Sequence, residues 1–240
     1  MDPRLSVIDE RLKEVKRIIA VSGCKGGIGK SVISCALTLQ LSKLGYKVGL
    51  LDLDFFSPSD HIILGAKLSF PEEEKGIVAP EVSGIKFMSI VYFIENKPAP
   101  FRGIDVSNAI IELLAITLWN KLDFLVIDMP PGIGDATLDT IRAIKRMGFL
   151  LISTQSKLSW ESTKRMAKML KELNVPIIGI IENMQKGSDS FIEKQAKLLG
   201  IRFLGSIEFD EKLESKLGNT KSFSQTKFSK QIGKIVPNIC

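Results

Sequence analysis

Apolar residues along this chain alternate between two rhythms. Short continuous runs at 17–21, 47–53, 85–94, 124–128, 149–154, 177–182 and 203–207 have the length of strands buried on both faces. Between them, 32–44, 106–119, 160–173, 191–199 and 225–236 place apolar residues at helical spacing; in 106–119 the inward set is Ile110, Leu113, Leu114 and Thr117. Strands alternating with helices require right-handed crossovers, which predicts an α/β fold: a mostly parallel sheet with helices on both faces. Residues 6–16 predict a short leading helix with Val7, Ile8, Leu12 and Val15 on one side, and Gly45 suits the cap that ends the helix over 32–44. The stretch 67–80, with Glu72-Glu73-Glu74, reads as an exposed connection, and Pro98 and Pro100 close the strand over 85–94.

Composition narrows this to one domain spanning 1–240, since 240 residues at 45% hydrophobic content can bury a full core. No apolar run is long enough to cross a bilayer and residues 1–16 are charged throughout, so neither a membrane span nor a signal peptide is expected and the expected compartment is the cytoplasm. Cys24, Cys35 and Cys240 form no C-x-x-C pair, which argues for a reducing compartment; Cys35 reads as a small core residue. The net charge of +6 is uneven: beyond Asp210 stand Lys212, Lys216, Lys221, Lys227, Lys230 and Lys234 against Glu211 and Glu214. A basic tail attracts nucleic acid or an anionic membrane but is more often a solvated helix face, the reading favoured here. The helix over 225–236 has Phe228, Ile232, Ile235 and Val236 along one side; its narrow apolar face resembles a membrane-surface helix and equally suits docking on the sheet, which is favoured.

The candidate chemistry starts at Ser22-Gly23-Cys24-Lys25-Gly26-Gly27-Ile28-Gly29-Lys30-Ser31, where the first strand turns into a helix. Gly26, Gly27 and Gly29 let backbone N–H groups, with those of Ile28 and Val32, curl round a phosphate, and the helix adds the positive end of its dipole. Lys30 would reach the β- and γ-phosphates and the Ser31 hydroxyl would take one position on Mg²⁺. The strict pattern G-x-x-x-x-G-K-[ST] finds Cys24 where its first glycine belongs.

Further candidates stand at strand ends. In Asp52-Leu53-Asp54, Asp54 is placed to orient an attacking water and Asp52 to hold Mg²⁺ through a water; alternatively one of them caps the next helix, since Ser57-Pro58-Ser59-Asp60 is itself a helix start. Phe124-Leu125-Val126-Ile127-Asp128 is an apolar strand ending in a carboxylate that holds Mg²⁺ indirectly, the Walker B arrangement. In the following Met129-Pro130-Pro131-Gly132-Ile133-Gly134-Asp135, the Gly132 N–H is placed to sense a γ-phosphate, and Asp135 is either a switch residue or the N-cap of the next helix. Asn183, in Glu182-Asn183-Met184, either pairs with an adenine edge or simply ends its strand. His61, the sole histidine, has no metal-binding companion.

Lys-Gly-Gly-x-Gly-Lys-Ser resembles the deviant P-loop of the MinD, ParA, nitrogenase iron-protein and Mrp group. In that group the early lysine, here Lys25, crosses a dimer interface to the other subunit's nucleotide; the bland alternative is a solvated loop residue. Lys25 to Ser31, Asp52 to Ser59, Phe101-Arg102-Gly103, Leu122 to Asp135 and Gly179 to Met184 occur in the order and spacing of the Mrp/ApbC family, over about 10–218. The resemblance implies a P-loop NTPase fold and an ATP-binding, ATP-hydrolysing homodimer that carries or assembles iron–sulfur clusters for apoproteins. It also implies the roles given above for Lys25, Lys30, Ser31, Asp54, Asp128 and Asn183. Two departures bear on function. The C-x-x-C that such proteins carry after the Glu-Asn-Met element is replaced by Gln185-Lys186-Gly187-Ser188-Asp189-Ser190-Phe191, without cysteine, so a cluster cannot be held by the family's route in this chain alone. Val32 stands where many relatives have a second hydroxyl. The expected partners are therefore a second copy and a cysteine-bearing paralogue or an iron–sulfur apoprotein, with nucleic acid and membrane disfavoured; the rival reading is a MinD/ParA-type positioning ATPase.

Overall fold

The structure, a computed structural model, describes residues 2–94, 103–187 and 190–240. The expected Phe101-Arg102 element, Pro98, Pro100, Ser188 and Asp189 lie outside the described residues. In chain order the elements are α1 (Arg4–Leu12), β1 (Val15–Ser22), α2 (Lys30–Lys43), β2 (Val48–Asp52), α3 (Asp60–Leu64), β3 (Ile77–Val78), β4 (Glu81–Val82) and β5 (Ile85–Ser89). They continue with α4 (Gly103–Ile116), β6 (Thr117–Leu118), β7 (Leu122–Asp128), α5 (Asp135–Ala143), β8 (Met147–Ser153), α6 (Lys157–Glu172), β9 (Ile177–Gln185), α7 (Phe191–Leu198), β10 (Phe203–Glu208), α8 (Thr220–Ser224) and α9 (Lys227–Ile235).

The main sheet runs β10-β9-β8-β1-β7-β2-β5-β4, and every pairing in it is parallel except β4 with β5. Its central strands are buried nearly throughout, as expected of parallel strands covered on both faces: Ile19, Ala20, Val21, Leu50, Leu51, Val126 and Ile127 have no measurable exposure. Register then sets the site. Val21 and Asp52 both pair with Asp128, so β1, β2 and β7 finish level, and the loop after β1 opens beside two carboxylates. Helices pack on the sheet in groups, α2 with α3, α8 and α9, and α1 with α4 and α5.

Several expectations move. The leading helix ends at Leu12, and Val15 and Lys16 belong to β1; Ile8 and Leu12 are buried, but Val7 points outward at 41% exposure. The run over 85–94 is a strand only to Ser89, where the Ser89 side chain accepts from the Val91 N–H and a 3₁₀ turn begins. The connection over 67–80 contains β3, which pairs with β6, so the helix expected to reach Trp119 stops at Ile116 and its last residues turn into a short parallel ladder. The final helix expected over 225–236 is α9, which starts at Lys227 where Thr226 accepts from the Ser229 N–H to cap it, and a short helix not expected from the pattern, α8, precedes it. As favoured from the pattern, α9 docks: Phe228, Ile232 and Ile235 are buried, and Gln40 Nε2 on α2 donates to Ser229 Oγ at 2.8 Å. Gly45 ends α2 as expected, at φ +88°, with its N–H on the Ser42 carbonyl and the Tyr46 N–H on that of Leu41. No helix among the described residues is long and apolar enough to cross a membrane.

Candidate functional site

The glycine loop leaves β1 at Ser22 and enters α2 at Lys30, with Gly27 and Gly29 at φ +74° and +83°. A methyl group built on Gly26 or Gly27 meets nothing within 4 Å, so the loop is open on the side where an anion would lie against its amides. Lys30 is buried at 6% exposure beneath it. At the first turn of α2, Ser31 Oγ donates to Asp128 Oδ2 at 2.6 Å and Ser34 Oγ to Asp128 Oδ1 at 3.0 Å, tying the helix to the end of β7. Burial pushes the Asp128 carboxyl up to about 6, against the pull of the two serine hydroxyls and the charge of Lys30. Ser34 was not singled out from the sequence; a hydroxyl one turn past Lys30 is the signal for it.

Asn183 lies under the loop. At 2% exposure its Nδ2 donates to the Ile28 carbonyl at 2.8 Å, and a methyl group on Gly29 would stand 2.3 Å from that nitrogen. Its amide is thus engaged with the loop backbone, and it does not end its strand: β9 continues to Gln185, through Met184 at φ +56°. Gly29, Val32, Asn183, Met184, Phe209, Leu213 and neighbours enclose a hollow of about 70 Å³ beside the loop. Cys24, where the loop pattern calls for glycine, fits by turning its Sγ to the Ser162 carbonyl at 2.9 Å, and burial pushes its thiol up to about 11.

The acidic residues are more numerous than expected. Asp52 is fully buried and accepts from the Asp54 N–H at 3.0 Å and Ser89 Oγ at 3.3 Å. Asp54 is nearly as buried, and its Oδ1 accepts from the Ser57 N–H at 3.2 Å, so it braces the turn before α3 while bordering the site. In the sequence Asp60 is part of a helix start. Neither it nor Ser59 caps α3 through its side chain; Asp60 points inward, fully buried, where Cys35 Sγ donates to its Oδ1 at 3.4 Å. Cys35 is therefore a hydrogen-bond donor as well as a core residue. The signal for Asp60 is its place in Asp60-His61-Ile62-Ile63-Leu64, where an acid opens a short apolar helix. One carboxylate oxygen from each of Asp52, Asp60 and Asp128 falls within 4.8 Å of the others. Burial, with mutual repulsion, raises both Asp52 and Asp60 well above the usual carboxylate range.

Lys25 and Gly132 stand at the rim. Lys25 is half-buried and makes no hydrogen bond or ion pair among the described residues. Gly132 has φ +90°, open space where a side chain would be, and a carbonyl that accepts from Thr137 Oγ1 at 3.1 Å. Asp135 is the first residue of α5, with Gly134 as its N-cap, so the N-cap reading is corrected by one position.

Known proteins share this fold. A solved structure of a nucleotide-binding protein from Archaeoglobus fulgidus in complex with ADP superposes with a TM-score of 0.78 at 29% identity, over 92% of this chain and 93% of that one. MinD from Pyrococcus horikoshii, complexed with Mg-ADP, shares the fold with a TM-score of 0.69 at 19% identity, over 92% and 95%. Among curated proteins, the iron-sulfur cluster carrier protein of Methanocaldococcus jannaschii is 37% identical over 97% of this chain and 87% of its own length. That of Aquifex aeolicus is 34% identical over 86% of this chain, which spans 61% of the Aquifex protein. Residues 14–240 match the family described as ParA: NUBPL iron-transfer P-loop NTPase, and this chain belongs to it.

Proposed function

We propose that the chain binds and hydrolyses ATP with Mg²⁺ as a nucleotide-gated homodimer serving iron–sulfur cluster assembly or transfer. The observation that carries this reading is the Ser31–Asp128 hydrogen bond at 2.6 Å under an open glycine loop with Lys30 buried beside it. The parts fit a nucleotide: amides from Gly26 to Val32 and the Lys30 ammonium face the phosphates, and Ser31 and Asp128 meet where Mg²⁺ is held in loops of this pattern. Bound Mg²⁺ supplies charge neutralisation for phosphoryl transfer. The chain's own contribution is positioning. Asp54, braced by Ser57, orients water; Lys25, uncommitted within its own chain, supplies charge to a facing copy; Gly132 offers its N–H to the transferring group and is free to relax afterwards.

The cluster link rests on the curated relatives, which carry that name. Cys24, Cys35 and Cys240 do not supply a C-x-x-C: Cys24 is committed to Ser162, Cys35 is buried, and Cys240 is the exposed one. We therefore assign this chain the nucleotide half of the work, with thiolate ligands coming from a cysteine-bearing paralogue or the receiving apoprotein. The positioning-ATPase reading loses support because the apolar side of α9 is consumed by packing.

Calorimetry with ATP and ADP in Mg²⁺, paired with phosphate release, tests the nucleotide reading; micromolar uptake and slow turnover are expected, and absence of uptake overturns it. Iron and sulfide reconstitution tests the division of labour: the chain alone should gain no cluster absorbance.

A further inference from the structure

We propose that Asp52, Asp60 and Asp128 together hold a hard divalent cation directly, before any nucleotide arrives. The three come from separate parts of the chain, the ends of β2 and β7 and the first turn of α3, and are at most 1% exposed. One oxygen from each lies within 4.8 Å of the other two, which puts the centre of the triangle no more than about 2.8 Å from each, a few tenths of an ångström outside the usual Ca²⁺–oxygen range and further from that of Mg²⁺. A small inward rotation of the carboxylates closes that gap.

The second observation is Asp60 Oδ2. It is buried with no hydrogen-bond partner, although leaving a buried polar atom unmade is costly. The other oxygens of the triad are supplied with donors: the Asp54 amide and Ser89 for Asp52, Ser31 and Ser34 for Asp128, and Cys35 for Asp60 Oδ1. These donors suit carboxylates in the acceptor form. Among the described residues no ion pair reaches any of the three, and Lys30, whose charge is felt at Asp128, serves the loop. Three acids out of water without a counter-ion of their own call for a cation, and an all-carboxylate set selects a hard one.

The inference shares Asp52 and Asp128 with the proposed nucleotide site but does not need nucleotide. In that site Ser31 would hold the metal together with the nucleotide, and Asp60 would add a ligand that keeps a cation resident between turnovers.

Mn²⁺ is the probe. Nucleotide-free protein stripped with chelator and titrated with Mn²⁺ should remove about one equivalent of the free-ion paramagnetic resonance signal, with Mg²⁺ and Ca²⁺ as competitors. Asp60→Asn should weaken uptake at least tenfold while circular dichroism stays unchanged. Asp60→Ser serves if the amide disturbs the fold. No saturable uptake by the wild type, or uptake by both variants equal to wild type, overturns the proposal. ATP uptake is measured separately: a protein that takes ATP but no Mn²⁺ in its absence sinks only this inference, and one that takes Mn²⁺ but never ATP sinks only the nucleotide reading.

Discussion

Asn183 Nδ2 holds the carbonyl of Ile28 at 2.8 Å, fixing the glycine loop from beneath through the end of β9. Because Gly29 sits directly over that amide, the loop tolerates no side chain there: its φ is +83° and an added methyl would approach to 2.3 Å. Asn183→Ala leaves a buried carbonyl unpaired, at about 1–2 kcal/mol of stability. It should also weaken ATP binding roughly tenfold, since a loop no longer held must be ordered by the ligand. Gly29→Ala should lose nucleotide binding more completely. Urea unfolding and calorimetry on the two variants check this; an Asn183→Ala protein with wild-type values for both would remove Asn183 from the site.

The buried acids make a pH prediction of fixed sign. Asp128 ionises at about 6 in the fold against 3.8 for an unburied carboxyl, and Asp52 and Asp60 shift the same way. Between those values the folded protein holds a proton on Asp128 that the unfolded chain has released, so the Asp128 contribution to stability falls as pH rises from about 4 to about 6, and Asp52 and Asp60, raised further by burial, carry the fall to higher pH. For Asp128 alone the loss is on the order of 3 kcal/mol. With chelator present, Asp128→Asn should therefore be more stable than wild type at pH 7 and equal to it at pH 4. Urea midpoints across that range give the answer, and a wild-type curve that rises with pH contradicts it.

What the sequence made legible was whatever depends on a strand end. The loop, Asp52 and Asp128 each follow a continuous apolar run, and the parallel register that levels β1, β2 and β7 carries them to one edge. Asp60 was hidden because Ser57-Pro58-Ser59-Asp60 satisfies a helix-start pattern equally well with its acid facing out; only the packing of α3 on α2 turns it toward Asp128. The β3–β6 ladder escaped for a related reason. Each strand has two residues, too short for any period to register, and the pairing joins segments nearly forty residues apart.

The docking of α9 predicts where stability resides in the basic tail. Phe228 is 2% exposed against α2 and its neighbours, so Phe228→Ala should cost about 3–4 kcal/mol, whereas Lys230→Gln and Lys234→Gln, on the outer side, should change little. Equal unfolding midpoints for Phe228→Ala and wild type would mean that the helix does not sit on the sheet in solution.

Lys25 carries the strongest test of the dimer. It is half-buried at the loop's rim with no partner among the described residues, while Lys30 four residues on from Gly26 is buried beneath the loop. The two lysines are thus separated in role: Lys30 serves binding within its own chain, and Lys25 has a charge to place elsewhere. If that place is a facing copy's phosphates, the charge matters most as negative charge moves in the transition state, so binding is spared and turnover is not. Lys25→Ala should keep nucleotide affinity within about threefold, lose at least about a hundredfold in phosphate release, and fail to shift toward the dimer with ATP on size exclusion. A variant that hydrolyses normally as a monomer would return Lys25 to the surface of an ordinary loop.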